Sequence, residues 1–255
     1  MKTIASWGSS GAGKTTVALA LAAQLAKTNP DTLVISMDSR TPALPVYLPG
    51  QNLGALNSLG SLLETPNFIE CGLKDKIHRQ PKSEHLFFMG LASGEIASIT
   101  YKAPERGTVI SLIRILEESP FKYLIVDCDS NPIYDSLTLY ALETADTVLR
   151  TVTPDVKGFE FQKAQLAWLG SSDSFRVERH IKIANMGGDT TPLKEASALF
   201  GGFDFVLPYA REVKDKMTAG ELIRGLHADV KSVQFEEQIK RLAYRILEED
   251  KDGQA

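Results

Sequence analysis

The most specific chemical pattern in the sequence is a run of nine residues near its start: Gly8, Ser9, Ser10, Gly11, Ala12, Gly13, Lys14, Thr15 and Thr16. The run fits G-x-x-x-x-G-K-[ST], the pattern of loops that hold nucleotide phosphates. Its glycines permit backbone conformations in which successive N–H groups point at an anion. Lys14 is expected to reach the β- and γ-phosphates, and the Thr15 hydroxyl to bind magnesium. The run therefore predicts a binding site for a nucleoside triphosphate and Mg²⁺.

The segments on either side of this loop favour that interpretation over a simple glycine turn. Residues 3–7 read as a short buried strand, and residues 17–26 form a nearly continuous apolar run of good helix formers. A helix is therefore predicted to begin inside the loop, with its positive N-terminal end toward the phosphates. The apolar run also resembles a secretory signal, but cleavage there would remove the loop, so that alternative is rejected.

Two aspartates that follow predicted buried strands are the next candidates for chemistry. Asp127 closes the strand at 123–126 and has the position of the Walker B carboxylate that holds the magnesium shell. Asp38 closes the strand at 33–37 and is the candidate for positioning the attacking water. Ligands of open parallel sheets bind at the carboxyl ends of the strands. A solvated strand end for Asp127 and a turn former for Asp38 are the open alternatives. Together with Lys14, these two aspartates form the predicted catalytic set.

Composition places the chain among ordinary globular proteins. Its 255 residues are 43% hydrophobic and 24% charged, which is enough for a sizeable core. A formal charge of -4 does not suggest a surface that coats nucleic acid, although a local basic patch stays open. Cys71 and Cys128 have no His or Cys companions at ligand spacing, so structural zinc and a disulfide framework are not expected and a reducing cytoplasm fits. No apolar run is long enough to span a membrane.

Strand-like and helix-like segments alternate along the chain. This alternation predicts an α/β fold, a single P-loop domain over residues 1–255 with a mostly parallel sheet of seven strands covered by helices on both faces. Further strands are predicted at 85–89, 147–152, 180–184 and 203–207, and helices at 109–118, 134–145, 156–169, 192–200 and 233–248. Leucines at 53, 56, 59 and 63 recur at helical spacing and predict another helix. The last helix mixes acidic and basic residues on its polar side, so it is expected to pack on the core and not on a membrane.

The order of these pieces resembles the MinD/ParA group of deviant Walker ATPases over nearly the whole chain. Beyond the loop and the two aspartates, the similar segments are Ala145-Asp146, Val152-Thr153-Pro154-Asp155, Ile183-Ala184-Asn185 and Leu207-Pro208-Tyr209. The resemblance implies that Asn185 reads adenine and that Pro208 lines the base pocket. It also implies ATP and Mg²⁺ as cofactors, ATP hydrolysis as the reaction, and a homodimer that closes on ATP and opens after hydrolysis.

The sequence departs from this group at Ser9, where most members carry a signature lysine that reaches the partner subunit's phosphates. A cation supplied in trans can be worth on the order of 10³–10⁵ in rate, so its loss implies a slow hydrolase or a nucleotide-dependent switch. In this respect the loop resembles the CpaE/TadZ-like branch, which is associated with pilus assembly and secretion, and conjugation-linked relatives. Arg40 is a candidate for supplying the missing charge.

Three functions of different classes follow from this reading. The favoured one is a slow, cytoplasmic Mg-ATPase that acts as a dimerisation and localisation switch for a pilus, secretion or conjugation assembly, whose protein partner could recruit it to the membrane. The second is a ParA-like partition ATPase whose ATP dimer binds DNA without sequence preference, with Arg176, Arg179 and Lys182 as the candidate contacts. The third is a scaffold that keeps nucleotide only for stability.

Overall fold

The computed structural model describes residues 1–255 except 29, 39, 64–71, 97–98, 103, 188–192, 222 and 253–255. Its strands are β1 (Lys2–Gly8), β2 (Thr32–Ile35), β3 (His78–Arg79), β4 (Leu86–Met89), β5 (Tyr123–Asp127), β6 (Thr147–Val152), β7 (His180–Gly187) and β8 (Phe205–Pro208). Its helices are α1 (Lys14–Leu25), α2 (Leu44–Tyr47), α3 (Leu59–Leu63), α4 (Arg106–Glu117), α5 (Ser136–Thr144), α6 (Val156–Leu169), α7 (Leu193–Phe200), α8 (Arg211–Ala219) and α9 (Val230–Asp252). Short 3₁₀ helices lie at Ala26–Thr28, Ala55–Asn57, Leu73–Lys76 and Val177–Arg179.

The described strands form one eight-stranded sheet in the order β3-β4-β2-β5-β1-β6-β7-β8. β2 pairs in parallel with β4 and β5, and β7 in parallel with β6 and β8. β3 runs antiparallel to β4. The predicted α/β class and mostly parallel sheet are confirmed, but the predicted strand count of seven is short by one. The additional strand is β3, whose two polar residues carry no hydrophobic pattern.

Backbone contacts divide the chain into two compact units. The first unit comprises Met1–Ala5 and Ala26–Ala145, and the second comprises Ser6–Leu25 and Asp146–Ala255, so that β1 contributes residues to both. The prediction of one domain over residues 1–255 stays a prediction.

In the first unit the core is built on β2 and β5, which are paired in register from Thr32 and Tyr123 to Ile35 and Val126. Every residue of both strands is buried. Continuous burial of this kind, without alternation, is the pattern of parallel strands covered on both faces. The same strands end at the segments that hold Asp38 and Asp127, so the core fixes where these carboxylates emerge.

The predicted helix through the leucines at 53–63 is wrong. Gly54 and Ser58 both adopt extended backbone conformations, and they separate a 3₁₀ turn at Ala55–Asn57 from the five-residue α3. Leu59 and Leu62 are buried, whereas Leu56 is 82% exposed. Periodic leucines therefore did not make a helix here, because the intervening glycine and serine broke the backbone pattern.

In the second unit the core is built where α9 packs against α1 and β8. The buried residues of α9 recur at helical spacing and include Phe235, Ile239, Leu242 and Ile246. This confirms that the last helix packs on the core, as its mixed-charge polar side predicted. It extends from Val230 to Asp252, beyond the predicted 233–248, and the added residues continue no apolar spacing from which the extension could have been predicted. Within the described residues, no helix combines the length and the apolar character needed to cross a membrane.

The remaining segment boundaries agree with prediction to different degrees. β6 and α6 match the predicted 147–152 and 156–169 to the residue, and Asp155 caps α6 by accepting a hydrogen bond from the Gly158 amide at 2.7 Å. β2 ends at Ile35, two residues before the predicted 37, so Asp38 does not directly follow it. Cys71 and Pro192 lie outside the described residues.

Candidate functional site

The phosphate loop lies in the second unit, between the end of β1 and the start of α1 at Lys14. Gly11 and Gly13 have φ angles of 78° and 89°, a region that side chains disfavour and that glycine adopts without strain. The Ala12 amide donates to the Ser9 carbonyl at 3.1 Å, which closes a tight turn immediately before the helix. The structure therefore contains the strand, loop and helix that the sequence predicted around this motif.

Close packing requires glycine at Gly8 and Gly13, and at Gly13 the backbone angle requires it as well. A Cβ at Gly8 would lie 1.9 Å from the Thr151 carbonyl oxygen of β6. A Cβ at Gly13 would lie 2.1 Å from the Asn185 side-chain nitrogen. Non-bonded atoms cannot approach this closely, so only glycine, which has no Cβ, fits at these two positions. These are the features expected of a backbone cradle for phosphate.

Lys14 and Ser9 are both largely shielded from solvent. The Lys14 side chain sits at the first position of α1, and its backbone carbonyl accepts a hydrogen bond from the buried Ser6 hydroxyl at 3.0 Å. This bond ties the start of α1 to β1. Ser9, at the position of the family's signature lysine, is only 7% exposed and carries no charge. The loop itself therefore supplies one ammonium group, that of Lys14.

Asn185 is joined directly to the loop. Its side-chain Nδ2 donates a hydrogen bond to the Ala12 carbonyl at 2.8 Å, and the residue is buried. β7 is irregular between Ala184 and Gly187, and within this irregularity Met186 adopts a positive φ of 59°. A residue other than glycine rarely adopts such a backbone angle unless the surrounding structure holds it there. The Asn185 amide has a second N–H and a carbonyl oxygen, and these groups can still donate to and accept from the edge of a base.

A cavity of about 280 Å³ opens beside Asn185. It brings together three of the predicted nucleotide-binding residues, Thr16, Asn185 and Pro208. The rest of its lining is mainly apolar and consists of Met186, Tyr209, Ala210, Val213, Lys214, Met217 and Phe235. An apolar slot with a few polar groups at one end is suited to a planar heteroaromatic ring. Sequence reasoning missed Val213, Met217 and Phe235, because helical spacing in α8 and α9 does not distinguish cavity lining from core. It also missed Met186, which lies in the irregular part of β7.

The predicted magnesium-binding aspartate lies in the first unit, at the end of β5, and is buried. The Tyr47 hydroxyl donates a hydrogen bond to Asp127 Oδ2 at 2.8 Å. Burial, reinforced by the neighbouring Asp127 charge, raises the pKa of Tyr47 well above its ordinary value, so the phenol keeps its proton. Prolines at 42, 45 and 49 are typical of an extended loop, so sequence reasoning missed Tyr47. The structure instead has the short helix α2 there.

Asp38, also in the first unit, is half-buried and forms a local turn. Its Oδ1 accepts hydrogen bonds from the backbone amides of Arg40 at 2.9 Å and Thr41 at 3.0 Å. The turn-forming role that was the alternative for Asp38 is therefore present in the structure. A role in positioning water stays a prediction.

Arg40 and Asp129 form an ion pair in the first unit, with Arg40 Nη2 3.1 Å from Asp129 Oδ1. The Asp129 side chain is 1% exposed, whereas that of Arg40 is 63% exposed. Asp129 Oδ1 also accepts from the Asn131 amide at 2.9 Å, and its own amide donates to Thr138 Oγ1 at 2.8 Å. Asp129 is thus held by the turn that follows β5 as well as by Arg40.

The findings from known proteins agree with this geometry. Residues 1–162 match the family AAA_31, described as an AAA domain, which is more than half of the chain. The chain belongs to this AAA-domain family. No curated protein matches its sequence. In fold, this AAA-domain protein is similar to a ParA family ATPase from Chlorobium tepidum TLS, with a TM-score of 0.75 and 16% identity over 95% of this chain and 98% of that one.

Two archaeal MinD structures show the same likeness. The cell division ATPase MinD of Pyrococcus furiosus has a TM-score of 0.72 and 14% identity over 97% of this chain and 98% of that one. The septum site-determining protein MinD of Pyrococcus horikoshii OT3, complexed with Mg-ADP, has a TM-score of 0.67 and 15% identity over 96% and 95%. The predicted MinD/ParA-type P-loop ATPase is confirmed by the family and the fold. The finer assignment to the CpaE/TadZ-like branch stays a prediction.

One carboxylate in the first unit is expected to make stability depend on pH. Burial raises the pKa of Asp135, the N-cap of α5, from 3.8 to about 6, and the nearby charge of Asp129 adds to the effect. A raised pKa means that the folded state binds the proton more tightly than the unfolded state does. The stabilisation is therefore complete below about pH 4 and is lost as pH rises through about 6, a difference on the order of 2–3 kcal/mol.

We expect an Asp135→Asn variant to lose this pH dependence, because an amide does not titrate and can still cap the helix. The measurement is the free energy of unfolding in urea at steps between pH 4 and 7.5 for both proteins. The difference between variant and wild type should move in favour of the variant as pH rises. A difference that stays constant over this range would show that Asp135 titrates normally.

Proposed function

We propose that this protein binds Mg-ATP, hydrolyses it slowly, and uses the cycle as a dimerisation and localisation switch for a pilus, secretion or conjugation assembly. The observation that carries the proposal is the phosphate loop, whose glycines are sterically required while an uncharged Ser9 replaces the signature lysine. The first feature supports nucleotide binding, and the second supports slow turnover. A protein of this kind is suited to timing an interaction rather than to consuming ATP.

Each predicted site residue has a role in this proposal. Residues 8–16 surround the phosphates with backbone N–H groups, and Lys14 places its ammonium among the β- and γ-phosphate oxygens. Thr15 and Asp127 hold Mg²⁺, which when bound neutralises charge on the phosphate oxygens. Asn185 and Pro208 contact the adenine ring in the apolar cavity.

The proposed reaction is attack of water on the γ-phosphorus of ATP. Asp38 orients the water so that its oxygen bonds to phosphorus while the bond from phosphorus to the β–γ bridging oxygen breaks. ADP leaves with the bonding electron pair, and the proton of the water passes to phosphate or solvent. Such a transfer depends mainly on positioning and on stabilising charge, so few side chains are needed.

Relatives support the nucleotide and the partner in general terms. The Pyrococcus horikoshii MinD is complexed with Mg-ADP, and a putative plasmid partition protein of Borrelia burgdorferi, 16% identical, is bound to AMPPNP. The Aquifex aeolicus MinD, 17% identical, is part of a MinC:MinD complex. We infer that this chain likewise binds ATP with Mg²⁺, forms an ATP-dependent homodimer in the cytoplasm, and is brought to its site of action, including the membrane, by a protein partner.

DNA partitioning is the alternative, and the candidate basic residues weigh against it. Arg176 donates to the Phe175 carbonyl at 3.3 Å, and the Lys182 ammonium binds the Gly201 carbonyl. These contacts hold the cationic groups against the protein's own backbone. Binding of the ATP-state protein to DNA that falls steeply with salt would reverse this preference, because that dependence reports phosphate contacts.

Sedimentation velocity tests the switch. With Mg²⁺ and a slowly hydrolysed ATP analogue the protein should sediment as a dimer, and with Mg-ADP as a monomer. A Lys14→Ala variant should stay monomeric in both, because it lacks the ammonium that binds the terminal phosphates. Equal sedimentation of the wild-type protein in both nucleotides would rule out a nucleotide-dependent dimer.

Single-turnover hydrolysis tests Asp38. The variant is Asp38→Asn, because an asparagine oxygen can still accept the Arg40 and Thr41 amides and so preserve the turn. We expect nucleotide affinity to stay within about twofold, whereas the rate should fall by about 10²-fold or more, as when the attacking water is no longer held in the reactive geometry. An undetectable wild-type rate alongside tight binding would instead support the scaffold that keeps nucleotide only for stability.

The same assay tests Arg40 as the substitute cation. An Arg40→Ala variant should hydrolyse ATP at least about tenfold more slowly, since an arginine that reaches the transferring phosphoryl group is worth up to 10³–10⁵. The matched control is Arg106→Ala, which removes another half-exposed arginine from a largely buried carboxylate, Glu143, at 2.7 Å. Equal rates for the two variants would remove Arg40 from the mechanism.

A further inference from the structure

We propose that Tyr47 is a positioning residue for magnesium binding, which fixes the Asp127 carboxylate through the hydrogen bond that its hydroxyl donates. The inference rests on the proposed function, because it takes Asp127 as a ligand of the magnesium shell. Tyr47 and Asp127 both belong to the first unit. No pattern in the sequence marks Tyr47, which lies 80 positions before the aspartate that it contacts.

The backbone holds Tyr47 in place from two sides. The Leu44 amide, at the start of α2, donates to the Leu91 carbonyl at 3.0 Å, and the Tyr47 amide donates to the Ala43 carbonyl at 3.0 Å. Gly90 makes the close approach possible, because a Cβ there would lie 2.9 Å from the Ala43 Cβ. α2 is therefore anchored to the segment that follows β4, which sets the direction of the Tyr47 side chain.

The ring of Tyr47 is fixed by packing. Its centroid lies 5.0 Å from that of Phe88 in β4, with the planes tilted by 35°. The residue is only 3% exposed. A buried phenol confined in this way has little rotational freedom, so its hydroxyl presents a defined hydrogen-bonding direction to its neighbours.

The hydroxyl of Tyr47 contacts the proposed magnesium-binding carboxylate directly. It donates to Asp127 Oδ2 at 2.8 Å, since an ionised carboxylate can only accept. The Ser36 side chain lies near enough to lower the pKa of this phenol, and its Oγ accepts the Asp38 amide at 3.2 Å. The hydrogen bond to Asp127 is therefore the contact through which Tyr47 can act on the metal site.

This arrangement is what a metal-binding carboxylate requires from its surroundings. Hydrogen bonds to a ligand's second oxygen fix its orientation, and losing such a partner typically costs 10- to 100-fold in metal affinity. A carboxylate has about four acceptor sites, so the bond from Tyr47 leaves capacity for a metal or a metal-bound water. The simple alternative is that Tyr47 is a core residue whose hydroxyl happens to satisfy a buried aspartate.

The test is the Mg²⁺ dependence of nucleotide binding. Binding of a fluorescent ATP analogue is measured in EDTA and across a Mg²⁺ titration for wild type, Tyr47→Phe, Asp127→Asn and the double variant. We expect Tyr47→Phe to raise the Mg²⁺ midpoint about tenfold while leaving the affinity in EDTA unchanged. In the Asp127→Asn background the same change should have no further effect, because Tyr47 acts through that carboxylate.

The control variant is Tyr101→Phe, which removes a second buried tyrosine hydroxyl from the same unit. The Tyr101 hydroxyl makes no hydrogen bond to any residue that the structure describes, so its removal should leave the Mg²⁺ midpoint unchanged. If Tyr47→Phe does not fold, Ser36→Ala takes its place, because the Ser36 side chain lies near enough to lower the pKa of Tyr47. Its loss should shift the midpoint about twofold in the same direction, as for one weak neutral polar interaction.

The outcomes separate this inference from the proposed function. If the wild type shows a Mg²⁺ dependence that Asp127→Asn removes, but Tyr47→Phe and Ser36→Ala match Tyr101→Phe, the positioning role is wrong and the proposed function stands. Equal effects of Tyr47→Phe in the wild-type and Asp127→Asn backgrounds would likewise overturn it, as they would show a role in folding alone. If the wild type binds the analogue no better with Mg²⁺ than in EDTA, both fail.

Discussion

The constraint on which the rest of the second unit depends is the close approach of the phosphate-loop backbone to its neighbours. Gly8 meets the Thr151 carbonyl, and Gly13 meets the Asn185 side chain, at distances that exclude any Cβ. Because Asn185 also binds the Ala12 carbonyl, β7 must end at the loop, and its irregular end places Met186 at the cavity. The geometry of the proposed base site is thus a consequence of how tightly the loop is packed.

The first unit holds several carboxylates that are wholly or partly shielded from solvent. Each is held by donors: Asp38 by two backbone amides, Asp127 by the Tyr47 hydroxyl, and Asp129 by the Arg40 guanidinium. Buried carboxylates without such donors would be protonated or would destabilise the fold. Asp135, where burial outweighs its hydrogen bonds, shows the effect as a raised pKa.

How much the sequence could predict depended on whether the determining contacts are local. The phosphate loop was predicted because its glycines and lysine are contiguous in the sequence. The predicted range of α6 was right, and its capping contact is also local, since Asp155 binds the Gly158 amide three residues on. Tyr47 could not be predicted, since its partner is far away in the chain, and the prolines around it indicated a loop. Met186 was missed for another reason, because a methionine gives no indication in the sequence of a positive φ. The helix predicted from the leucines at 53–63 was wrong, because Leu59 and Leu62 are buried from the short α3 without Leu56 being part of that helix.

The two units hold different parts of the proposed chemistry, and this bears on how turnover is limited. The groups that grip nucleotide, namely the loop, Lys14, Asn185 and the cavity, belong to the second unit, whereas Asp38, Asp127 and Arg40 belong to the first. In the proposed function both sets contribute to rate and to affinity, since Lys14 also contacts the γ-phosphate and Asp127 holds the Mg²⁺ that accompanies the nucleotide. The charge absent at Ser9 is one that would act on the partner subunit's phosphates, and such a charge matters mainly in the transition state, where negative charge on the transferring group is spread over its oxygens. Under the proposed function its loss lowers the rate more than the affinity, so that the protein would remain bound to ATP long enough for a partner to read that state.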